Sequence, residues 1–318
     1  MKAVILAGGE GTRLAPISGG LPKPMMPLLG KPLLEHIVSH LRVCGFDELC
    51  ITLRYKPDTI RAHFGDGRDF GVSIEYRTED APLGTAGSVK ACADFWAGGP
   101  FLVIAGDCAC DFALDEAAAQ HKGGATIVLS RSDEPLRYGL VVTGRDGHVA
   151  GFLEKPAWER VVTDAVSTGI YILSPEAMDP VPPDTPFDFA KDLFPLLLRR
   201  GTPMQGLRLD GYWCDIGTPR SYYQANLDAL DGLYRLPQPD ARQRSIVPCR
   251  SRAALMGQLA MAACEFGADW SDGLRIADNS GSAHAAPLAD QSAIVVEGEG
   301  ERCRALLNLA RRLAREQG

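Results

Sequence analysis

Leu6-Ala7-Gly8-Gly9-Glu10-Gly11-Thr12-Arg13-Leu14 follows directly on a short apolar run, Lys2–Leu6, that reads as a buried strand. Gly8, Gly9 and Gly11 permit positive φ and let backbone N–H groups come close to a phosphate. Arg13 adds a planar, permanently charged fork for phosphate oxygens. Two familiar phosphate loops are excluded. The run lacks the Gly-Lys-Ser/Thr ending of a P-loop, and Leu14 stands where a dinucleotide fingerprint needs its last glycine. Taken alone, the segment also fits a glycine-rich surface turn. Just beyond it, Leu21-Pro22-Lys23-Pro24-Met25-Met26-Pro27 sets a lysine between two prolines, each of which fixes φ and restricts the residue before it. Rigid placement of one cation suits phosphoryl chemistry, where positioning and electrostatics supply most of the catalysis.

Outward from this loop, short apolar runs alternate with helical patterns. Leu33, Leu34, Ile37, Val38 and Leu41 recur at helical spacing before Gly45, and Glu48–Leu53, Val72–Tyr76 and Phe101–Ala105 read as further strands. Helical stretches around Asp58–Phe64 and Thr85–Ala93 lie between them. That alternation predicts an α/β fold, a Rossmann-like mostly parallel sheet covered by helices on both faces. Ligands of such sheets bind at the carboxyl ends of the strands, where the unusual loops here all fall. From Ala125 the pattern shifts to shorter alternating runs, Thr126–Ser130, Leu140–Thr143, His148–Leu153 and Gly169–Leu173, followed by helical stretches at Phe189–Arg199 and Arg220–Leu230. Residues 1–235 form one predicted domain and the Pro-, Gln-, Asp- and Arg-rich residues 236–245 a linker. Residues 246–318 form a small α+β domain, with helices at Ala253–Ala263 and Arg302–Arg315 and strands at Leu274–Ala277 and Ala293–Glu297.

Composition narrows the function classes. With 318 residues, 46% hydrophobic and 23% charged, the chain can bury one large core or two modest ones, and wholesale disorder is excluded. A net charge of -7 argues against nucleic acid or an anionic membrane as the main partner, though not against a small polyanion met by local cations. The nine cysteines form no C-x-x-C pair, which excludes the common zinc and redox motifs and points to reduced thiols in a cytoplasmic protein.

The glycine run followed by Leu21-Pro22-Lys23-Pro24-Met25-Met26-Pro27-Leu28-Leu29-Gly30-Lys31-Pro32 resembles the signature of the sugar-1-phosphate nucleotidyltransferase family. The resemblance continues in order through Glu79–Gly87, Ala105-Gly106-Asp107, Tyr138-Gly139-Leu140, Phe152–Pro156, Thr168-Gly169-Ile170-Tyr171 and Trp213–Thr218, spanning residues 1 to about 232. It implies an enzyme that joins the nucleoside monophosphate of an NTP to a sugar-1-phosphate and releases pyrophosphate. Arg13 and Lys23 are the implied catalytic cations. Leu6, Ala7, Gly8, Gly9, Gly11, Thr12, Arg13, Lys23, Glu79, Gly84 and Thr85 are the implied nucleotide site. Gly139, Glu154, Lys155, Ser167, Thr168 and Gly169 take the sugar phosphate, and Asp107 and Asp215 hold Mg²⁺, which accepts carboxylate and phosphate oxygens readily.

The stretches Phe187–Pro195 and Gly211–Gly217 resemble the guanylyltransferase branch, which implies GTP and mannose-1-phosphate as substrates. Glu79 supports guanine, whose N1–H and exocyclic amine are two donors where thymine and uracil have one. Ser167 departs from the asparagine usual in the family, which leaves the sugar open. dTTP or UTP with glucose-1-phosphate, and GTP with heptose-1-phosphate, remain alternatives. So does a non-catalytic regulator that binds nucleotide sugars, although such a protein would be expected to lose Arg13, Lys23, Asp107 or Asp215. The tail is faintly similar to the last domain of a phosphohexomutase. In place of that domain's phosphate loop stands Ala286–Ser292, without the arginine and glycine, so no mutase activity is expected and a role in homo-oligomer contacts is.

Overall fold

The computed structural model describes residues 1–236 throughout and, beyond them, the backbone of four strands. The expected helices at Ala253–Ala263 and Arg302–Arg315 lie outside the described residues. Two compact units emerge, one of residues 1–26 with 32–225 and the other of residues 27–31 with 226–318.

In the first unit, β1 (Ala3–Leu6), α1 (Leu33–Val43), β2 (Glu48–Leu53), α2 (Pro57–Phe64), β3 (Ser73–Thr78), α3 (Gly84–Lys90) and β4 (Phe101–Ala105) follow one another. β1 pairs in parallel with both β2 and β4, and β3 extends the parallel set beyond β2. Ala3, Val4 and Ile5 are completely buried, as are Phe101 to Ile104, so both faces of this part of the sheet are covered. That double burial is why these strands are continuous apolar runs rather than alternating ones. The chain walks from β1 outward to β3, then returns to place β4 on the other side of β1. The strand order therefore reverses between β1 and β4, which creates a crevice at their carboxyl ends.

α1 buries Leu33, Leu34, Ile37, Val38 and Leu41, each worth about 1.5–3 kcal/mol, and stops where Gly45 takes φ of 79°. His40 is buried on this helix, its Nε2 2.9 Å from the Phe112 carbonyl. Burial lowers its pKa below the usual 6.5, although the Phe112 carbonyl, Asp111 and Asp115 favour the proton. A depressed folded pKa means that the unfolded chain binds the proton more tightly. His40 therefore stabilises the fold above pH 6.5 and progressively less as pH falls below it. Urea midpoints at pH 7 and pH 5 are expected to differ less in His40→Gln than in the wild type, and equal differences would remove His40 as a cause.

Past β4 come β5 (Cys108–Cys110), β6 (Ala125–Arg131), β7 (Gly139–Thr143), β8 (Val149–Glu154), β9 (Ala165–Leu173), α4 (Phe194–Arg200), β10 (Met204–Arg208), β11 (Trp213–Asp215) and α5 (Pro219–Leu230). The sheet is completed as β8-β7-β9-β4-β1-β2-β3, with β6 paired to β9 and β10 to β6. β9 runs antiparallel to β4, β6 and β7, so an antiparallel region is grafted onto the parallel half. Its pairing with β6 is interrupted between Ser167 and Tyr171, where Gly169 turns to φ of 78°. The helix expected over Phe189–Arg199 is present, opening as a π-turn, Phe189–Leu193, that leads into α4, with Pro195 in its first turn.

The second unit carries a four-stranded antiparallel sheet of β12 (Gln243–Pro248), β13 (Leu274–Asp278), β14 (Gly281–Pro287) and β15 (Ala293–Glu299), ordered β12-β15-β14-β13. β12 takes in Gln243, Arg244 and Ser245 from the stretch expected to be linker. β14 was not foreseen and includes Ala286 and Pro287. Among the described residues no helix is long and apolar enough to cross a membrane.

Candidate active site

At the β1–β4 crevice the Gly106 amide donates to the Leu6 carbonyl at 2.9 Å. Asp107 thus leaves β4 beside the glycine loop that leaves β1. Asp215 arrives from far along the chain on β11, which pairs with β5 so that Asp215 lies opposite Cys108. The Ile216 amide ties the ribbon to the Asp107 carbonyl at 3.0 Å. Between these carboxylates sits Lys23, held by Pro22 and Pro24 in a short 3₁₀ turn. Its Nζ donates to Asp107 Oδ2 at 2.5 Å and to Asp215 Oδ1 at 3.2 Å. Lys23 is only 7% exposed. Burial opposes the charge and is the largest single influence, yet Asp107 and Asp215 together outweigh it and raise the lysine pKa. The ammonium is therefore a fixed cation rather than a proton donor.

The glycine loop fits closely over this lysine. Gly11 has φ of 64°, and a Cβ there would lie 2.8 Å from Lys23 Cβ. Arg13 is exposed, but its guanidinium sits near Asp215. A Cβ on Gly217 would be 2.9 Å from both Arg13 Nη2 and Asp215 Oδ2. Leu6 ends β1, and buried Ala7 donates its amide to the Thr52 carbonyl at 3.0 Å. Gly9 and Thr12 are exposed, Thr12 opening the 3₁₀ turn Thr12–Leu14.

Next along the carboxyl edge, Glu79 follows β3, its amide bonded to the Leu53 carbonyl at 2.8 Å. Glu79 Oε2 accepts from the Leu83 amide at 3.4 Å, while Oε1 is buried with no hydrogen-bond partner. A buried oxygen of this kind is costly and marks a site for a donor. Gly8 lies close to both Glu79 and Arg54, since its added Cβ would be 3.9 Å from Glu79 Oε1 and 3.5 Å from Arg54 Cβ. Gly84, at φ of 68°, presses against the Phe187 carbonyl, 2.6 Å from where a Cβ would be. Thr85 Oγ1 donates to Asp188 Oδ2 at 2.9 Å.

A cleft of about 300 Å³ opens beside the carboxylates. Arg13, Thr85, Asp107 and Asp215 line it together with all six residues expected to take the sugar phosphate, from Gly139 to Gly169. Of the residues expected to take the nucleotide, Leu6, Ala7, Gly8, Gly9, Gly11, Thr12, Lys23, Glu79 and Gly84 are not on its wall. Gly139 leaves room that a Cβ would deny, 2.6 Å from Phe152 Cζ and 3.0 Å from Glu154 Oε2. Lys155 takes φ of 40°, uncommon for a residue with a side chain, and its side chain, 65% exposed, brings the ammonium 3.6 Å from Glu154 Oε1. The Thr168 hydroxyl donates to the Val128 carbonyl at 2.8 Å, and its own carbonyl accepts from Trp213 Nε1 at 3.0 Å. Ser167 Oγ lies 3.3 Å from the Tyr171 hydroxyl.

Asp188 was not foreseen. It lines the cleft and caps the π-turn, its Oδ1 accepting from the Ala190 and Lys191 amides at 3.0 and 3.2 Å. It falls within the Phe187–Pro195 stretch that resembles the guanylyltransferase branch, but as an N-cap aspartate before an apolar run it reads locally as a helix start. Arg137 also lines the cleft, with no motif to announce it.

A rigid lysine clasped by two carboxylates under a glycine loop thus stands at the switch point of the α/β sheet, where ligands of such sheets bind. The chain belongs to the nucleotidyl transferase family, whose model matches residues 2–232. It is 39% identical over 241 residues to a UTP–glucose-1-phosphate uridylyltransferase of Synechocystis, covering 71% of this chain and 62% of that one. Over 246 residues it is 34% identical to a mannose-1-phosphate guanylyltransferase of Mycobacterium tuberculosis, 76% of this chain and 67% of that one. The chain thus spans about two thirds of the length of these relatives. Among solved structures, HddC of Yersinia pseudotuberculosis complexed with GMP-PN superimposes with a TM-score of 0.62 at 31% identity, covering 72% of this chain and 99% of that one.

Proposed function

We propose that the protein transfers a nucleoside monophosphate from an NTP to a sugar-1-phosphate. A phosphate oxygen of the sugar-1-phosphate, already anionic at neutral pH, attacks the α-phosphorus in line. The bond between the α-phosphorus and its bridging oxygen breaks, and pyrophosphate leaves with that electron pair. No protein nucleophile is required. The obstacle is the approach of two polyanions, and the observation that carries the proposal is the Lys23 ammonium fixed between Asp107 and Asp215 beside the cleft. Arg13 and Lys155 on the cleft wall add positive charge, which would hold the substrates and offset their repulsion.

Asp107 and Asp215 also suit Mg²⁺, which is bound by one or two carboxylates and completed by substrate phosphates. Among the described residues no cluster of three or more His, Cys, Asp or Glu side chains could hold a metal ion. When bound, such an ion would neutralise phosphate charge.

GTP and mannose-1-phosphate are the favoured pair. Support for guanine comes from the partnerless Glu79 Oε1, an acceptor for N1–H or the exocyclic amine. Arg54 lies near Gly8 and donates Nη1 to Glu10 Oε1 at 3.1 Å, and an arginine is a donor suited to O6 and N7. The name of the M. tuberculosis relative agrees, while that of the Synechocystis relative favours UTP with glucose-1-phosphate. The test is pyrophosphate release with Mg²⁺ across GTP, dTTP, UTP, ATP and CTP against mannose-, glucose- and heptose-1-phosphate. Release confined to GTP with mannose-1-phosphate is expected, UTP with glucose-1-phosphate would move the assignment, and no release from any pair would overturn it. In the same assay Glu79→Gln is expected to lower kcat/KM for GTP about ten-fold or more, with a smaller loss for UTP. Equal losses for both would remove Glu79 from base recognition.

A further inference from the structure

We propose that Arg137 is a binding residue for the phosphate of the sugar-1-phosphate, acting beside Lys155. This rests on the sugar-1-phosphate reading of the cleft but not on which sugar or base is used. A phosphate monoester carries close to two negative charges at neutral pH and presents several acceptor oxygens. Lys155 meets this demand poorly alone, being a point charge 3.6 Å from Glu154 and 65% exposed. Arg137 lines the same cleft as Lys155, Asp107 and Asp215. It is anchored from the outside, since Nη1 donates to Glu134 Oε2 at 2.5 Å and the guanidinium lies 5.8 Å from the Tyr138 ring centroid. Its other terminal nitrogen, Nη2, is enclosed and has no acceptor. A charged donor left unmatched on a side chain that lines an anion cleft is a feature that a phosphate oxygen would resolve.

Position favours the sugar phosphate over the NTP. Gly139 pairs with Glu154 across β7 and β8, and the Lys155 amide donates to the Tyr138 carbonyl at 3.1 Å. Arg137 therefore belongs to the structural unit that holds Glu154 and Lys155, whereas Arg13 and Lys23 come from the loops after β1. The Tyr138 ring in turn packs edge-on against Trp213, 5.1 Å between centroids, two residues from Asp215.

The competing role is purely structural, with Arg137 only bracing Glu134 and Tyr138. Steady-state kinetics of Arg137→Met, with each substrate varied at saturation of the other, separates the two. A phosphate-binding role raises KM for the sugar-1-phosphate about ten-fold or more and leaves KM for the NTP within about two-fold. Inorganic phosphate, as a competitor of the sugar-1-phosphate, loses potency to the same extent. In the reverse direction KM for pyrophosphate stays unchanged. Arg137→Lys, which keeps the charge but not the fork, falls between. Should Arg137→Met fail to bind a non-hydrolysable NTP analogue because it is misfolded, the same split is read on Arg137→Lys. An unchanged sugar-1-phosphate KM, or parallel rises for NTP and sugar-1-phosphate, overturns the proposal. Wild-type protein that releases no pyrophosphate removes the underlying reading instead, so the two failures are distinguishable.

Discussion

Lys23→Ala is expected to fold, to bind nucleotide, and to turn over about 10²–10³-fold more slowly than the wild type. The lysine does two things at once. It places a permanent cation beside the cleft, and it holds Asp107 and Asp215 at 2.5 and 3.2 Å from a single nitrogen. Alanine removes the cation and leaves two carboxylates facing each other. Breaking a buried ion pair by deleting one partner costs about 3–5 kcal/mol when the survivors stay dry. Here the survivors are not dry, since the Asp107 and Asp215 side chains are 39% and 26% exposed, and water can replace the ammonium. The stability loss should accordingly fall below that range while the catalytic loss stays large. kcat at saturating substrates and a thermal melt on the same preparation check both halves. A kcat within about two-fold of wild type would remove Lys23 from the mechanism.

Much of this site was legible because its parts carry local signals. A strand buried on both faces must be a continuous apolar run, and a loop that wraps a lysine must have glycine where φ is positive or a Cβ would collide. Ala3–Leu6, Gly11 and Lys23 could therefore be found by eye. The pairing of Asp107 with Asp215 came from family resemblance, because nothing local to either aspartate reports a partner more than one hundred residues away. What escaped lacked a local signal of its place in the cleft. Arg137 sits in a short turn among ordinary polar residues, and only the folded cleft distinguishes it from a surface arginine. Asp188 does carry a helix-cap signal, and that ordinary role conceals its second position on the cleft wall.

Strand β14, Gly281–Pro287, was missed for a compositional reason. Its residues are Gly, Ser, Ala, His, Ala, Ala and Pro, with none of the β-branched or aromatic residues that mark a strand. It is paired on both sides, by β13 and β15, so backbone hydrogen bonding defines it where side chains do not. β9 shows the opposite case. Its start at Ala165 was hidden by Ser167, Thr168 and Gly169, which break the apolar run at the irregularity that faces the cleft. A local rule fails there at the point where the strand serves the site.

Gly11→Ala is expected to show the second large effect, through geometry rather than charge. Residue 11 has φ of 64°, a conformation that costs an alanine about 1–2 kcal/mol. The added methyl would also stand 2.8 Å from Lys23 Cβ and 3.6 Å from Lys23 Cα. These are atoms close to a backbone stiffened by Pro22 and Pro24, so the loop must lift instead of the lysine yielding. A displacement near 1 Å at a reacting centre costs about 10²-fold in rate, and that is the loss expected in kcat. Gly9→Ala provides the contrast within the same loop. Its Cβ meets nothing within 4 Å, so its melting temperature should match the wild type, and any loss of activity must arise against bound nucleotide. Gly11→Ala, by comparison, should melt several degrees lower even without substrate. Equal melting temperatures for the two variants, with full activity in Gly11→Ala, would show that the loop has slack over Lys23 and that the rigid placement of this cation is not what drives the reaction.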